Sequence, residues 1–250
     1  MTYDEGIYQM VVEKNEYQLP ECFAAEDIIV DCGAHIGAFA YAALIRGSQW
    51  VFSYEAERQN FDLATQFLNT YIERGDLKLN FATIWRSDQY EDQFSQTGYP
   101  LSLGGINTGG FSVAWKILQS SARLATPYKA STPAPTLAFD VLVSKITNNG
   151  QKRIRLLKLD CEGSEWPILI TSRKLHLIDE ICGEFHEING EHDTYQPSFF
   201  IDGFDCYTVE QLVTHLETEG FTVDYSYHQA FHGVQPLGLF WAYRDRDKVN

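Results

Sequence analysis

The sequence predicts an α/β fold with a doubly wound, mostly parallel sheet, and three stretches carry that prediction. Ile28 to Tyr41, IIVDCGAHIGAFAY, runs from β-branched residues into Asp31 and turns on spaced glycines. It then continues as an alanine-rich segment, Ala38 to Arg46, with helical spacing up to Gly47. Trp50 to Tyr54 is a second strand-like run, ending in Glu55 about 24 residues after Asp31. Ile154 to Leu159, IRLLKL, is an apolar run of the kind buried on both faces of a parallel sheet, and it ends in Asp160. Strand, tight turn and helix start, in that order, form a unit suited to anions and nucleotides.

Taken in order, residues 1–26 read as an N-terminal cover with Met10 to Val12 as a short strand. In the turn D-C-G-A-H-I-G, Gly33 and Gly37 lack a Cβ, so a ligand can approach the backbone closely. A dinucleotide fingerprint needs a second early glycine, and Ala34 and His35 stand in its place. A pyrophosphate therefore fits less well than a ligand with no phosphate. Glu55 holds the position from which an acid accepts hydrogen bonds from ribose hydroxyls. A βαβ turn without any ligand is the alternative, and the common register of strand, turn, helix and acid argues against it.

Arg58 to Tyr71 places Phe61, Ala64, Leu68 and Tyr71 at helical spacing, and Gly75 closes the helix. Leu77, Leu79, Phe81 and Thr83 alternate as a third strand. Ile84 to Asp88 should form the loop at its carboxyl end, where open α/β sheets bind ligands. Trp85, Arg86, Ser87 and Asp88 are candidates for an adenine pocket, with Trp85 suited equally to the core. Residues 89–135 form an insertion between the third and fourth strands, far longer than one crossover helix requires. The insertion carries PLSLGGINTGG and Pro127, Pro133 and Pro135, while Tyr99, Phe111, Trp115 and Tyr128 favour an ordered lid over the site.

Leu137 to Ile146 reads as the crossover helix, stopped by Asn148, Asn149 and Gly150. After Asp160, Ser164 is a helix cap, Glu165 suits the helix dipole and Pro167 fits a first turn. Glu180 to Phe185 is the fifth strand, with Glu184 and His186 at its end. A loop, Gly190 to Asp205, leads to a helix over Thr208 to Glu219, opened by a Thr-x-x-Gln capping pattern and closed by Gly220. Phe221, Val223, Tyr225 and Tyr227 alternate as a strand, and Leu237 to Tyr243 supplies the last one. No repeat or linker divides the chain, so residues 1–250 read as a single domain.

Composition narrows the function. No apolar run approaches the roughly 18 residues of a membrane span, and the N-terminus shows no signal-peptide pattern. Five cysteines without a CxxC pair argue against a disulfide framework or structural zinc. Cys32, Cys161 and Cys182 read as small buried thiols, which suits a reducing, cytoplasmic setting. A net charge of −15 disfavours nucleic acid as a partner and points to a small, uncharged or cationic substrate.

The segments DCGAHIG, YEAERQNFDLATQFLN, TLAFDVL, LLKLDCEGSEWPIL and EICGEFHE recur in the order seen in one family, and together the chain resembles the FkbM methyltransferases. That family pairs a D-x-G-A-N-I-G turn with E-P-x-x-x-N, T-L-D, K-x-D-x-E-G-x-E and E-x-H segments. The match covers about residues 27–190, and two positions depart from it: His35 replaces Asn and Ala56 replaces Pro. The resemblance implies a class I, Rossmann-like methyltransferase fold with a seven-stranded sheet and S-adenosylmethionine as cofactor. It implies O-methylation of a hydroxyl on a sugar or natural product. Asp31, Gly33, Ala34, His35, Gly37, Glu55, Ala56, Trp85, Ser87 and Asp160 would then line the cofactor.

His186 is the first candidate base, and Asp160 is the second, or else the holder of the cofactor's amino group. Glu162 joins them as a further carboxylate at the same strand end. Asp160, Glu184 and His186 also leave open a divalent metal between two strand ends. His228 and His232, four apart in a loop, and His192 remain uncommitted. N-methylation, an NAD-type oxidoreductase and a non-catalytic nucleotide-binding protein are the competing readings. The missing glycine opposes the oxidoreductase. The presence of Asp31, Glu55, Asp160 and His186 together opposes the binding protein.

Overall fold

The computed structural model describes residues 3–88, 134–188, 200–204, 206–228 and 237–244, with the backbone of four two-residue strands inside 89–133. A seven-stranded sheet forms its centre. Its strands are β1 (Ile28–Cys32), β2 (Trp50–Glu55), β3 (Leu77–Phe81), β10 (Ile154–Leu159), β11 (Ile178–His186), β12 (Thr222–Tyr227) and β13 (Leu237–Tyr243). The order across the sheet is β12-β13-β11-β10-β1-β2-β3. All neighbours run parallel except β13, which is antiparallel to both β11 and β12. From β1 the chain winds outward to β2 and β3 on one side, and β10 takes up the other side. The carboxyl ends of β1 and β10 thus flank a topological switch point, where such sheets open a crevice for ligands.

Both faces of the sheet are covered, because β1 has no polar face to leave in water. Ile28, Val30 and Cys32 join a core cluster with α5 (Phe139–Ile146) and α6 (Glu165–Thr171), while Ile29 joins a second with α2 (Ala38–Ile45). α2 is apolar nearly all round, and six of its residues are buried. The segment preceding β1 packs on α2 through Val11, Tyr17, Leu19 and Phe23. There the expected strand at Met10–Val12 is replaced by α1 (Tyr3–Tyr8) running into a π-helical turn, Gln9–Glu13, that puts Val11 in the core.

Other departures from the sequence reading have local causes. The helix expected from Arg58 to Tyr71 is two helices, α3 (Arg58–Phe67) and α4 (Asn69–Arg74), broken at Leu68. Leu68 is fully buried, and its Cδ1 lies 2.6 Å from where a Cβ on Gly37 would stand, so the break seats this side chain under the β1–α2 turn. The alternation through Thr83 ends at Phe81. Thr83–Trp85 forms its own strand, β4, parallel to β9 (Ala134–Ala138), so the crossover helix starts at Phe139 instead of Leu137. Inside the insertion, β5 (Gln93–Phe94) pairs with β9, while β6 (Thr97–Gly98) pairs with β7 (Phe111–Ser112) and β8 (Tyr128–Lys129). The rest of 89–133, with the expected lid aromatics Tyr99 and Trp115, lies outside the described residues, as do the side chains of Phe111 and Tyr128 and all of His192 and His232.

β11 is longer than expected and carries His186 as its last residue. The capping box before α7 (Val209–Thr218) is present, with Thr208 and Gln211 exchanging bonds. All five cysteines are free thiols; Cys32 and Cys182 are buried and Cys161 half-buried. No helix among the described residues is long and apolar enough to cross a membrane.

Candidate active site

The β1–α2 turn spends three of its backbone donors, from Gly33, Ala34 and His35, on β2. Gly33 N and Ala34 N both donate to Tyr54 O at 3.0 Å, Gly37 N donates to Ala34 O at 2.8 Å, and His35 N donates to Glu55 Oε2 at 2.6 Å. A pyrophosphate would need those same N–H groups free. Gly33 sits at φ +83°, and an added Cβ there would lie 1.8 Å from Asp160 O, so only glycine lets the β10 tip close against the turn.

Glu55 is buried, with Oε2 on His35 N and Oε1 accepting from Glu57 N at 2.7 Å. Burial raises its carboxyl to about 7 despite those two bonds. Each oxygen keeps a second lone pair, which is the acceptor set that a ribose diol requires. Ala56 follows, half-buried.

A buried cation ties β1 to β10. Lys158 Nζ donates to Gly33 O at 2.6 Å and stands 3.5 Å from Asp31 Oδ1 and 3.4 Å from Asp160 Oδ2. Burial pushes the Lys158 ammonium down, but Asp160 and Asp31 outweigh it and hold the group charged. Asp31, fully buried, also accepts from Ser53 Oγ at 3.2 Å, and burial lifts its carboxyl. Burial opposes ionisation of Asp160 too, yet Lys158, His186 and Tyr17 together hold it below the usual carboxylate range. Lys158 was legible only as a charge inside the apolar run IRLLKL, and Tyr17 gave no signal in the sequence.

Beyond Asp160 lies an acid–imidazole cluster. Glu162, at φ +54°, brings Oε2 to 3.4 Å from His186 Nε2, and Glu184 Oε2 lies 3.6 Å from the same nitrogen. Glu165 Oε2 stands 3.8 Å from Nδ1, and His228 Nε2 meets Glu184 Oε1 at 3.1 Å. Ser164 precedes α6 but makes no side-chain cap. The Glu165 carboxylate instead ties the loop before α6, accepting from Cys161 N and from Gly163 N at 2.8 Å. Burial disfavours the His186 cation, but the Glu165 carboxylate beside its Nδ1 and the charges of Glu162 and Glu184 raise it well above an ordinary imidazole. Burial, countered by His186 and reinforced by Asp160, places Glu162 at about 8. Glu16 is raised to about 7 by burial, then by Asp160 and Glu184. Among the described residues, no three His, Cys, Asp or Glu side chains form a group able to hold a metal ion.

Two candidates stand apart. Trp85 is 1% exposed in the core cluster that holds Phe139 and Trp166, which leaves no ring face open to adenine. Ser87 is tied to the start of α5 and the end of α6, its Oγ accepting from Asp140 N at 3.0 Å and its N donating to Thr171 Oγ1 at 2.9 Å. Arg86 pairs with Asp88 at 2.6 Å and donates to Phe200 O.

Residues 31–222 match the family model described as the methyltransferase FkbM domain. The chain belongs to the FkbM methyltransferase family. It is an S-adenosylmethionine-dependent methyltransferase, and the carboxylates at the tips of β2 and β10 fit that cofactor as acceptors for its hydroxyls and ammonium. Among solved structures, an FkbM methyltransferase from Methylobacillus flagellatus is 13% identical, with a TM-score of 0.50. The alignment takes in 94% of this chain and 48% of that one, so the FkbM chain here spans about half its neighbour's length. The N-terminal domain of EvdMO1 with S-adenosylhomocysteine bound is 12% identical over 88% of this chain and 75% of that one, with a TM-score of 0.44. No curated protein matches the sequence significantly.

Proposed function

We propose that this FkbM protein transfers a methyl group to a hydroxyl on a small, uncharged acceptor such as a sugar or natural product. The observation that carries the proposal is the cluster of Glu16, Glu162 and Glu184 with His186 and His228 beyond Asp160. Carboxylates accept hydrogen bonds from hydroxyls and repel phosphate or carboxylate acceptors. Asp31, Gly33, Ala34, His35, Gly37, Glu55 and Ala56 lie at the tips of β1 and β2, where Glu55 would accept from the cofactor's ribose hydroxyls and Asp160 would accept from its ammonium. The bound cofactor supplies an electrophilic methyl group, and the protein's share is alignment and proton removal.

His186, the expected base, sits among three carboxylates, and an imidazolium accepts no proton. Glu162, near 8 and paired with that ring, takes the acceptor's proton in this reading, while His186 holds Glu162 in place. Deprotonation of Glu162 then makes the rate rise with pH through about 8. The test is methyl transfer from labelled cofactor to polyols, amines and sugar phosphates, with pH profiles for wild type and Glu162→Gln. Polyol methylation with the rise near 8 lost in Glu162→Gln, together with a fall in kcat of roughly 10²–10⁴-fold, is expected. Preference for sugar phosphates would contradict the proposal. Methylation of amines alone would establish the second reading, N-methylation, which the same carboxylates favour by attracting cations.

A further inference from the structure

Asn15 and Gln18 both adopt left-handed backbone, at φ 54° and 55°. Such conformations persist only where surrounding contacts hold them. Here the Asn15 side chain closes on Leu19 from both sides, Nδ2 donating to Leu19 O at 2.8 Å and Oδ1 accepting from Leu19 N at 2.9 Å. Gln18 N adds a bond to Asn15 O at 2.8 Å. The rigid turn presents Tyr17, 6% exposed and edge-on to Phe39 of α2, with ring centroids 5.5 Å apart. Its hydroxyl donates to Asp160 Oδ2 at 3.0 Å, the same oxygen that faces Lys158 Nζ at 3.4 Å. Asp160 Oδ1 makes no hydrogen bond among the described residues, and the side chain remains 26% exposed. One oxygen of this carboxylate is clamped and the other is open.

We propose that Tyr17 is a positioning residue of the methyltransferase, acting through Asp160: it fixes the carboxylate so that the open oxygen receives the ammonium of the cofactor's methionine moiety. The residue lies in the N-terminal cover, before the segment 31–222 that matches the family model. This inference rests on the reading of Asp160 as a cofactor ligand.

Tyr17→Phe keeps the ring against Phe39 and removes only the donor. Calorimetry with S-adenosylhomocysteine, which carries the ammonium, and with 5′-methylthioadenosine, which lacks it, separates the possibilities. Tyr17→Phe is expected to weaken S-adenosylhomocysteine about tenfold, because the Asp160 carboxylate must then be ordered on binding, and to leave methylthioadenosine unchanged. Asn15→Gly, which loosens the turn without touching the ring, is expected to give the same selective loss. Equal weakening of both ligands, or no change in either, would overturn the role of Tyr17. Asp160→Asn serves as the reference. If it too fails to distinguish the two ligands, the cofactor reading of Asp160 falls; if it distinguishes them and Tyr17→Phe does not, only the inference about Tyr17 falls.

Discussion

Replacing Glu55 by glutamine separates two effects of one buried carboxylate. Its oxygens accept from His35 N at 2.6 Å and Glu57 N at 2.7 Å, and an amide has only one oxygen to offer. Whichever way the amide turns, one backbone N–H meets an NH₂ group, at a cost of about 1–3 kcal/mol. Against this stands the penalty for burying the charge. Burial raises the group from 4.5 to about 7, a difference worth about 3 kcal/mol once the carboxyl is ionised in the folded apoprotein. Because the folded value is the higher one, this carboxyl's contribution to stability is full below about pH 4.5 and is lost as pH rises through about 7. Glu55→Gln should therefore be less stable than wild type at pH 5 and nearly equal to it at pH 8, by urea unfolding. Its affinity for S-adenosylhomocysteine should fall by about 1–3 kcal/mol, roughly 5- to 150-fold, as the ribose loses a charged acceptor. A folded variant with unchanged affinity would remove Glu55 from the site, and an equal stability difference at both pH values would refute the buried-charge argument.

Gly33→Ala combines a left-handed φ with a Cβ 1.8 Å from Asp160 O, so the β1–β10 tips cannot close. A loss of about 3 kcal/mol or more is expected in denaturant unfolding, and a loss under about 1 kcal/mol would contradict the packing described. Lys158→Met strands Asp31 and Asp160 without their cation, and should destabilise the fold by about 3–5 kcal/mol at neutral pH. The loss should shrink on acidification, as the stranded carboxylates take up protons; a pH-independent loss would argue for a packing role alone.

What the sequence made legible was local. The β1 turn, Glu55, the apolar β10 run and the Thr208 capping box each declare themselves within a few residues, through periodicity or turn chemistry. What escaped depends on partners far along the chain. The helix breaks at Leu68 because Gly37 leaves room for that side chain, and β4 exists because β9 pairs with it some fifty residues later. Ser164 makes no cap, and the loop before α6 is held by Glu165, whose carboxylate takes two turn donors at once. The hydrogen bond from Tyr17 to Asp160 joins residues 143 positions apart, and no local pattern announces it. His186 was found by its place at a strand end, but its charge state depends on Glu162, Glu165 and Glu184 around it.

The central claim is that the crevice at the β1 and β10 tips takes a phosphate-free sulfonium nucleoside, because the N–H groups of Gly33, Ala34 and His35 are already spent on Tyr54 and Glu55. Calorimetric titration of the full chain with S-adenosylhomocysteine and with NADH, side by side, tests it most directly. Saturable one-to-one binding of S-adenosylhomocysteine with no heat from NADH is the predicted result. NADH binding while S-adenosylhomocysteine stays silent would contradict it.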